Sequence, residues 1–149
     1  MQLKIQLLNR KAQLPTRGSP NAAGLDLYAN FEGTEFQQLG YQDIKGNERS
    51  SIRTGIAVEI PEGYFGWLAS RSGLAKKLGG NLLAGVIDND YRGEIVVIMQ
   101  NHSLETFRIN QGDRIGQLVI IPCLILEPIA VDELSATIRG AEGFGSTGT

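Results

Sequence analysis

The ten residues SIRTGIAVEI, Ser51 to Ile60, put Ile52, Ile56, Val58 and Ile60 on one side of an extended chain and Arg53 and Glu59 on the other. Successive side chains of a strand point to opposite faces, so this alternation predicts a half-buried strand. The same period recurs outward along the chain. LKIQL, Leu3 to Leu7, alternates Leu3, Ile5 and Leu7 with polar neighbours. GEIVVIMQN (93 to 101) and DRIGQLVIIP (113 to 122) are Ile- and Val-rich, short and bounded by polar residues or glycine, which predicts more fully buried strands. Turn-forming clusters separate these runs: RGSPN at 17 to 21, IPEGY at 60 to 64, DNDYRG at 88 to 93 and NQGD at 110 to 113. Only GLAKKLGG, Gly73 to Gly80, has helical character. Many short strands with regular turns predict an all-β sandwich, jelly roll or barrel with one short helix. Exposed strand edges in such a domain are commonly covered by symmetric association, so oligomerisation is expected.

Composition limits the chemistry. The 149 residues suffice for one domain with its own core. Fourteen basic and sixteen acidic side chains give a net charge of −2, which argues against nucleic acid as a partner. With one cysteine, Cys123, and one histidine, His102, a disulfide framework and a Cys/His zinc site are excluded, and a reducing, cytoplasmic setting is expected. Both residues read as packing or surface side chains. No signal peptide is expected ahead of Lys4, and the longest apolar runs, such as LVIIPCLIL, are too short to span a bilayer.

Three stretches carry candidate chemistry. In ASRSGLAKK, Arg71 and Ser72 stand where an extended segment turns into the short helix, ahead of Gly73. Unpaired N–H groups, a hydroxyl and a guanidinium suit a phosphate; equally, Ser72 could cap the helix and Arg71 make a surface ion pair. In GVIDNDYRGEI, Asp88 closes an apolar run before a turn containing Tyr91. The stretch reads either as a hairpin turn or as a carboxylate placed to take a proton from water beside an aromatic face. The ending RGAEGFGSTGT has P-loop-like glycine spacing but neither the lysine nor a following helix, so it is no Walker A loop. Alone it reads as a loose end. Its glycines and Arg139 nevertheless suit an anion, and Phe144 suits a base.

In order, AAGLDLYA (22 to 29), RSGLA (71 to 75), AGVIDNDYRGEI (84 to 95), GDRIGQL (112 to 118) and RGAEGFGSTG (139 to 148) resemble the five motifs of the homotrimeric dUTPases, with compatible spacing over almost the whole chain. The resemblance implies a distorted, β-clip-like jelly roll that assembles as a homotrimer with shared active sites. It also implies a body at 1 to 138 and a glycine-rich arm at 139 to 149 that closes over an active site. The implied reaction is dUTP plus water to dUMP and pyrophosphate with Mg2+ on the triphosphate, which limits uracil in DNA and supplies dUMP for dTMP synthesis. Carried over residue by residue, Asp88 would orient and deprotonate the attacking water and Tyr91 would pack beneath deoxyribose. Arg71, Ser72, Gly73 and Gln117 would hold phosphate, with Arg139, Gly145 and Ser146 on its terminal group. Phe144 would stack on uracil, and the backbone around Leu82 and Gly85, Val86 and Ile87 would read its edge and crowd a 5-methyl group. Asp26 would reach Mg2+ through water.

The chain departs from the family pattern at two places. Many bacterial members carry a uracil-holding asparagine six residues before the aspartate, where this chain has Leu82, with Asn81 one residue earlier. Either the backbone does that work or the register differs by one. Gly116 replaces a commoner alanine, which should loosen local packing. Two other readings are a dCTP deaminase, disfavoured by the GVIDNDYRG and GFGST stretches, and a binding or regulatory protein on the same scaffold, for which no inserted domain is present.

Overall fold

The computed structural model describes residues 2 to 141. These hold eleven strands and one helix: β1 (Lys4–Leu7), β2 (Leu25–Tyr28), β3 (Tyr41–Ile44), β4 (Arg49–Arg53), β5 (Ile56–Glu59), β6 (Tyr64–Ala69), α1 (Ser72–Leu78), β7 (Gly80–Leu83), β8 (Val86–Ile87), β9 (Val96–Asn101), β10 (Phe107–Asn110) and β11 (Arg114–Pro122). They pair as β1-β5, β10-β3, β2-β11-β6-β8 and β4-β9-β7, every ladder antiparallel. No described helix is long and apolar enough to cross a membrane.

The alternation in Ser51 to Ile60 is realised: Ile52, Ile56, Val58 and Ile60 are all buried in one core with Leu27, Phe31, Val97, Met99, Ile115 and Leu118. The single strand expected there, however, is two. Gly55 has φ +71°, a left-handed conformation that a side chain resists, and the chain turns a corner at Thr54–Gly55. The Thr54 hydroxyl donates to the Ile95 carbonyl at 2.6 Å, and the Gly55 N–H donates to the Glu94 carboxylate at 2.7 Å. β4 therefore joins β9 while β5 joins β1. A Cβ on Gly55 would run into the Asn30 amide and lie 2.9 Å from the Ala12 methyl. Periodicity cannot register such a corner, because the inward side chains keep their spacing through it.

Two turns are also crossings between sheets. The turn at Asp88 to Gly93 leads from β8, which pairs with β6, to β9, which pairs with β4 and β7. Ala84 and Gly85 likewise carry the chain from β7 in one sheet to β8 in another, with Ala84 at φ +53°. The helix stands where the sequence places it, closed by Gly79 in the left-handed conformation, whose N–H reaches the Ala75 carbonyl. His102 follows β9 on the surface, and Cys123 is half-buried after Pro122. Beyond β11, Leu124, Ile125, Leu126, Ile129, Leu134 and Ile138 stand exposed in a segment with no strand partner among the described residues.

Candidate functional site: two half-sites at opposite ends of a strand

One end of the four-stranded sheet gathers Asp26, Arg71, Ser72, Gly73, Arg114 and Gln117 around a concavity of about 200 Å³. Ladder register explains the gathering, since Gln117 on β11 lies opposite Asp26 on β2 and opposite Ala69 at the end of β6. Asp26 is nearly buried, and its carboxylate accepts from Arg71 Nε at 2.8 Å and Arg114 Nη1 at 3.2 Å. Two cations on one carboxylate leave the cluster net positive and hold both guanidiniums in place for an anion. Arg114 was not singled out from the sequence, although it lies inside GDRIGQL, because its strand position gives no sign that it returns to Asp26.

The capping alternative for Ser72 is not realised. Arg71 occupies the N-cap position in an extended conformation with no side-chain cap bond, and Ser72 is the first helical residue. Leu74 and Ala75 donate the first bonds to the Arg71 carbonyl, so the N–H groups of Ser72 and Gly73 precede the ladder. Gly73 has no positive φ, and a Cβ there would meet nothing within 4 Å. Nothing in the described chain demands a glycine at this place, and the space beside it is open. Gln117 Nε2 donates to the Ser70 carbonyl at 3.1 Å, and its amide lies so close over Gly24 that a Cβ on that glycine would collide with it.

A second concavity, of about 180 Å³, is lined by Val86, Ile87, Asp88, Tyr91, Glu94 and Val96. Asp88 is exposed, and its carboxylate has no hydrogen-bond or ion-pair partner among the described residues. It remains free to accept from water. The Tyr91 N–H closes the turn onto the Asp88 carbonyl, and the Tyr91 hydroxyl donates to the Glu94 carbonyl at 3.1 Å. The ring folds back over Gly93, where a Cβ would collide with the phenol.

These two half-sites share no lining residue, and the ladder shows why. Ile87 pairs with Gly66 and Val86 with Trp67, so continuing the antiparallel register puts Asp88 level with Phe65. Ala69 lies four residues along β6, roughly 13 Å away at 3.3 Å per residue, and Arg71 lies further on. Asp88 and Arg71 therefore stand at opposite ends of one strand. General-base action needs contact through at most one water, a distance far shorter than this separation.

The remaining sequence-predicted residues divide as follows. Gly85 accepts from the Leu68 N–H at 2.7 Å and fits against the Trp67 edge, where a Cβ would lie 3.2 Å from the indole. The Leu82 side chain packs against the core, and its N–H donates to Ser70 Oγ at 3.0 Å. Asn81 accepts from the same hydroxyl at 2.8 Å. Gly116 is not merely loose packing, because a Cβ there would lie 2.8 Å from Leu82 Cδ2. The two departures from the family pattern are thus complementary, the absent methyl making room for the leucine. Arg139 is exposed near the end of the described chain, while Phe144, Gly145 and Ser146 lie outside the described residues.

The donor set would suit a metal ion brought in by a ligand rather than one held by side chains alone. No three His, Cys, Asp or Glu side chains among the described residues come together to hold one, and the only carboxylate in the phosphate-side concavity already faces two arginines. With its two oxygens facing Arg71 and Arg114, Asp26 could approach such an ion only through water.

The fold and the two concavities define a small β-protein with one cationic end suited to an anion and one carboxylate-aromatic end. Residues 10 to 148 match the dUTPase family, and the chain belongs to that family. It is 45% identical to the deoxyuridine 5'-triphosphate nucleotidohydrolase of Yarrowia lipolytica, covering 99% of this chain and 90% of that protein. Identity to the protein of that name from Nautilia profundicola is 47%, with 99% of each covered. Among solved structures, a Staphylococcus bacteriophage 80alpha dUTPase with dUpNHpp superposes with a TM-score of 0.87 at 31% identity, covering 99% of both chains. A dUTPase from phage phi11 of S. aureus, described with a coordinated structural Mg(II) ion, gives a TM-score of 0.79 at 28% identity, covering 91% of this chain and 100% of that one.

Proposed function

We propose that this chain hydrolyses dUTP to dUMP and pyrophosphate by water attack on the α-phosphorus, in a jelly-roll homotrimer whose active sites are each built from several chains. The reaction limits uracil in DNA and supplies dUMP for dTMP synthesis. The reading is carried by the separation of Asp88 from Arg71 along β6. Two groups of one reaction that stand at opposite ends of one strand support a site in which they meet across chains. The exposed apolar side chains of 124 to 138 support the same assembly, since a contiguous apolar segment seeks cover.

In this scheme Asp88 accepts a proton from the attacking water. Its carboxylate, which has no described side-chain partner, suits that role. Tyr91, fixed by Gly93 and the Glu94 carbonyl, packs beneath deoxyribose and leaves no room for a 2′-hydroxyl. The backbone of Leu82 and of Gly85 to Ile87 faces uracil and crowds a 5-methyl group. Arg71, Ser72, Gly73 and Gln117 take the phosphates of a neighbouring chain's nucleotide, with Arg114 holding Asp26 and Arg71 in register. Mg2+ on the triphosphate, held through water by Asp26, would offset phosphate charge. Residues 139 to 149 form an arm that closes over the site, Arg139, Gly145 and Ser146 on the terminal phosphate and Phe144 on the base.

A pyrophosphate-release assay against dUTP, UTP, dTTP and dCTP, with and without magnesium, tests the reading. Magnesium-dependent release from dUTP alone is expected. Ammonia from dCTP without pyrophosphate would indicate a deaminase, and no turnover of any of the four would indicate a binding protein.

A further inference from the structure

Ser70 is the one residue between the end of β6 at Ala69 and the extended Arg71 that opens α1. Its hydroxyl accepts the Leu82 N–H at 3.0 Å and donates to Asn81 Oδ1 at 2.8 Å. Its carbonyl accepts Gln117 Nε2 at 3.1 Å. A hydroxyl offers one proton, and here that proton and a lone pair both go to β7. Neither bond belongs to the β7-β9 ladder, in which Asn81 and Leu82 lie opposite Gln100 and Met99. On its other face β7 is gripped through Leu82, whose side chain fills the space left by Gly116. Two residues beyond Leu82 the chain enters the left-handed Ala84 and the Gly85 to Ile87 segment.

We propose that Ser70 and Asn81 form a positioning pair that anchors β7 at the end of β6, completes the fixing of the Ala84 to Ile87 turn against Gly66 to Leu68, and so sets selectivity against a 5-methyl group on the base. This rests on the dUTP reading given above. The turn is tied on one side to β6 through the Leu68 N–H on the Gly85 carbonyl and the Val86–Trp67 and Ile87–Gly66 pairs, and on the other side its position is set by where the strand feeding it is tied. A single methyl is worth roughly 10- to 200-fold in a tight pocket, and that margin vanishes when the wall can retreat.

The test compares kcat and KM for dUTP and dTTP in the full-length wild type, Ser70→Ala, Ser70→Thr and Asn81→Ala, with inhibition by inorganic triphosphate as a probe of the phosphate side alone. Ser70→Ala is expected to raise the KM for dUTP about 10-fold and to cut the dUTP/dTTP ratio of kcat/KM by a similar factor, as loss of hydrogen bonds of this kind implies. Inhibition by inorganic triphosphate should not change, because the Ser70 carbonyl that receives Gln117 is kept. Ser70→Thr should restore the ratio, and Asn81→Ala should fall between. An unchanged ratio in Ser70→Ala, even with a lower melting temperature, would overturn the proposal. So would equal losses toward both nucleotides and inorganic triphosphate. Should Ser70→Ala not fold, Asn81→Ala decides by the same ratio. Failure of the wild type to hydrolyse dUTP would refute the underlying reading rather than the pairing.

Discussion

Asp88 and Gly93 show how little separates a turn from a reagent. Both lie in DNDYRG, which is sufficient as turn chemistry, yet the turn leaves the Asp88 carboxylate unpartnered among the described residues and folds the Tyr91 ring onto Gly93. Asp88→Asn is expected to lower kcat by about 10²- to 10⁴-fold while binding of a non-hydrolysable dUTP analogue stays within a fewfold, because the proton acceptor goes and the phosphate contacts stay. Single-turnover kinetics with calorimetry separate the two quantities. Gly93→Ala should displace the Tyr91 ring and lower the dUTP/UTP selectivity by about 10-fold with a smaller effect on kcat, measured as the ratio of kcat/KM values. At this level the sequence was legible for residue types but not for their partners. Arg114 and Ser70 went unassigned, and Asn81 was weighed only as a uracil-facing residue, because the contacts they make, at 3.2, 3.0 and 2.8 Å, are with residues distant in sequence that no local pattern encodes.

Strand β4 and strand β5 were visible as one alternating run whose inward residues Ile52, Ile56, Val58 and Ile60 are all buried, although Ala57 on the opposite parity is buried as well. What the alternation could not show was the corner at Gly55, nor that the turns after β7 and β8 cross between sheets instead of closing hairpins. Pairing partners are set by long-range packing, whereas periodicity reports only which face is inward. Gly55→Ala is expected to destabilise the protein by roughly 2–4 kcal/mol, combining left-handed strain with overpacking against Asn30 and Ala12. Denaturant titration checks this, with a lowered midpoint and an unchanged slope as the expected result. Gly116→Ala should cost stability for the related reason that its methyl meets Leu82, by about 1–3 kcal/mol. The double variant Gly116→Ala with Leu82→Ala should then destabilise by less than the sum of the two single changes.

The whole chain carries two half-sites that β6 holds apart, and this geometry was not legible in the motifs, whose order along the sequence is silent about their distance in space. Under the proposed function it makes catalysis a property of an assembly. The central claim is tested most directly by mixing two inactive chains, Asp88→Asn and Arg71→Ala, refolding them together at equal amounts and measuring pyrophosphate release from dUTP. Because each site then draws its two halves at random from different chains, about a quarter of the wild-type activity is expected to return. Mixed oligomers that form and remain inactive would contradict the account, since a site contained in one chain cannot be completed by another.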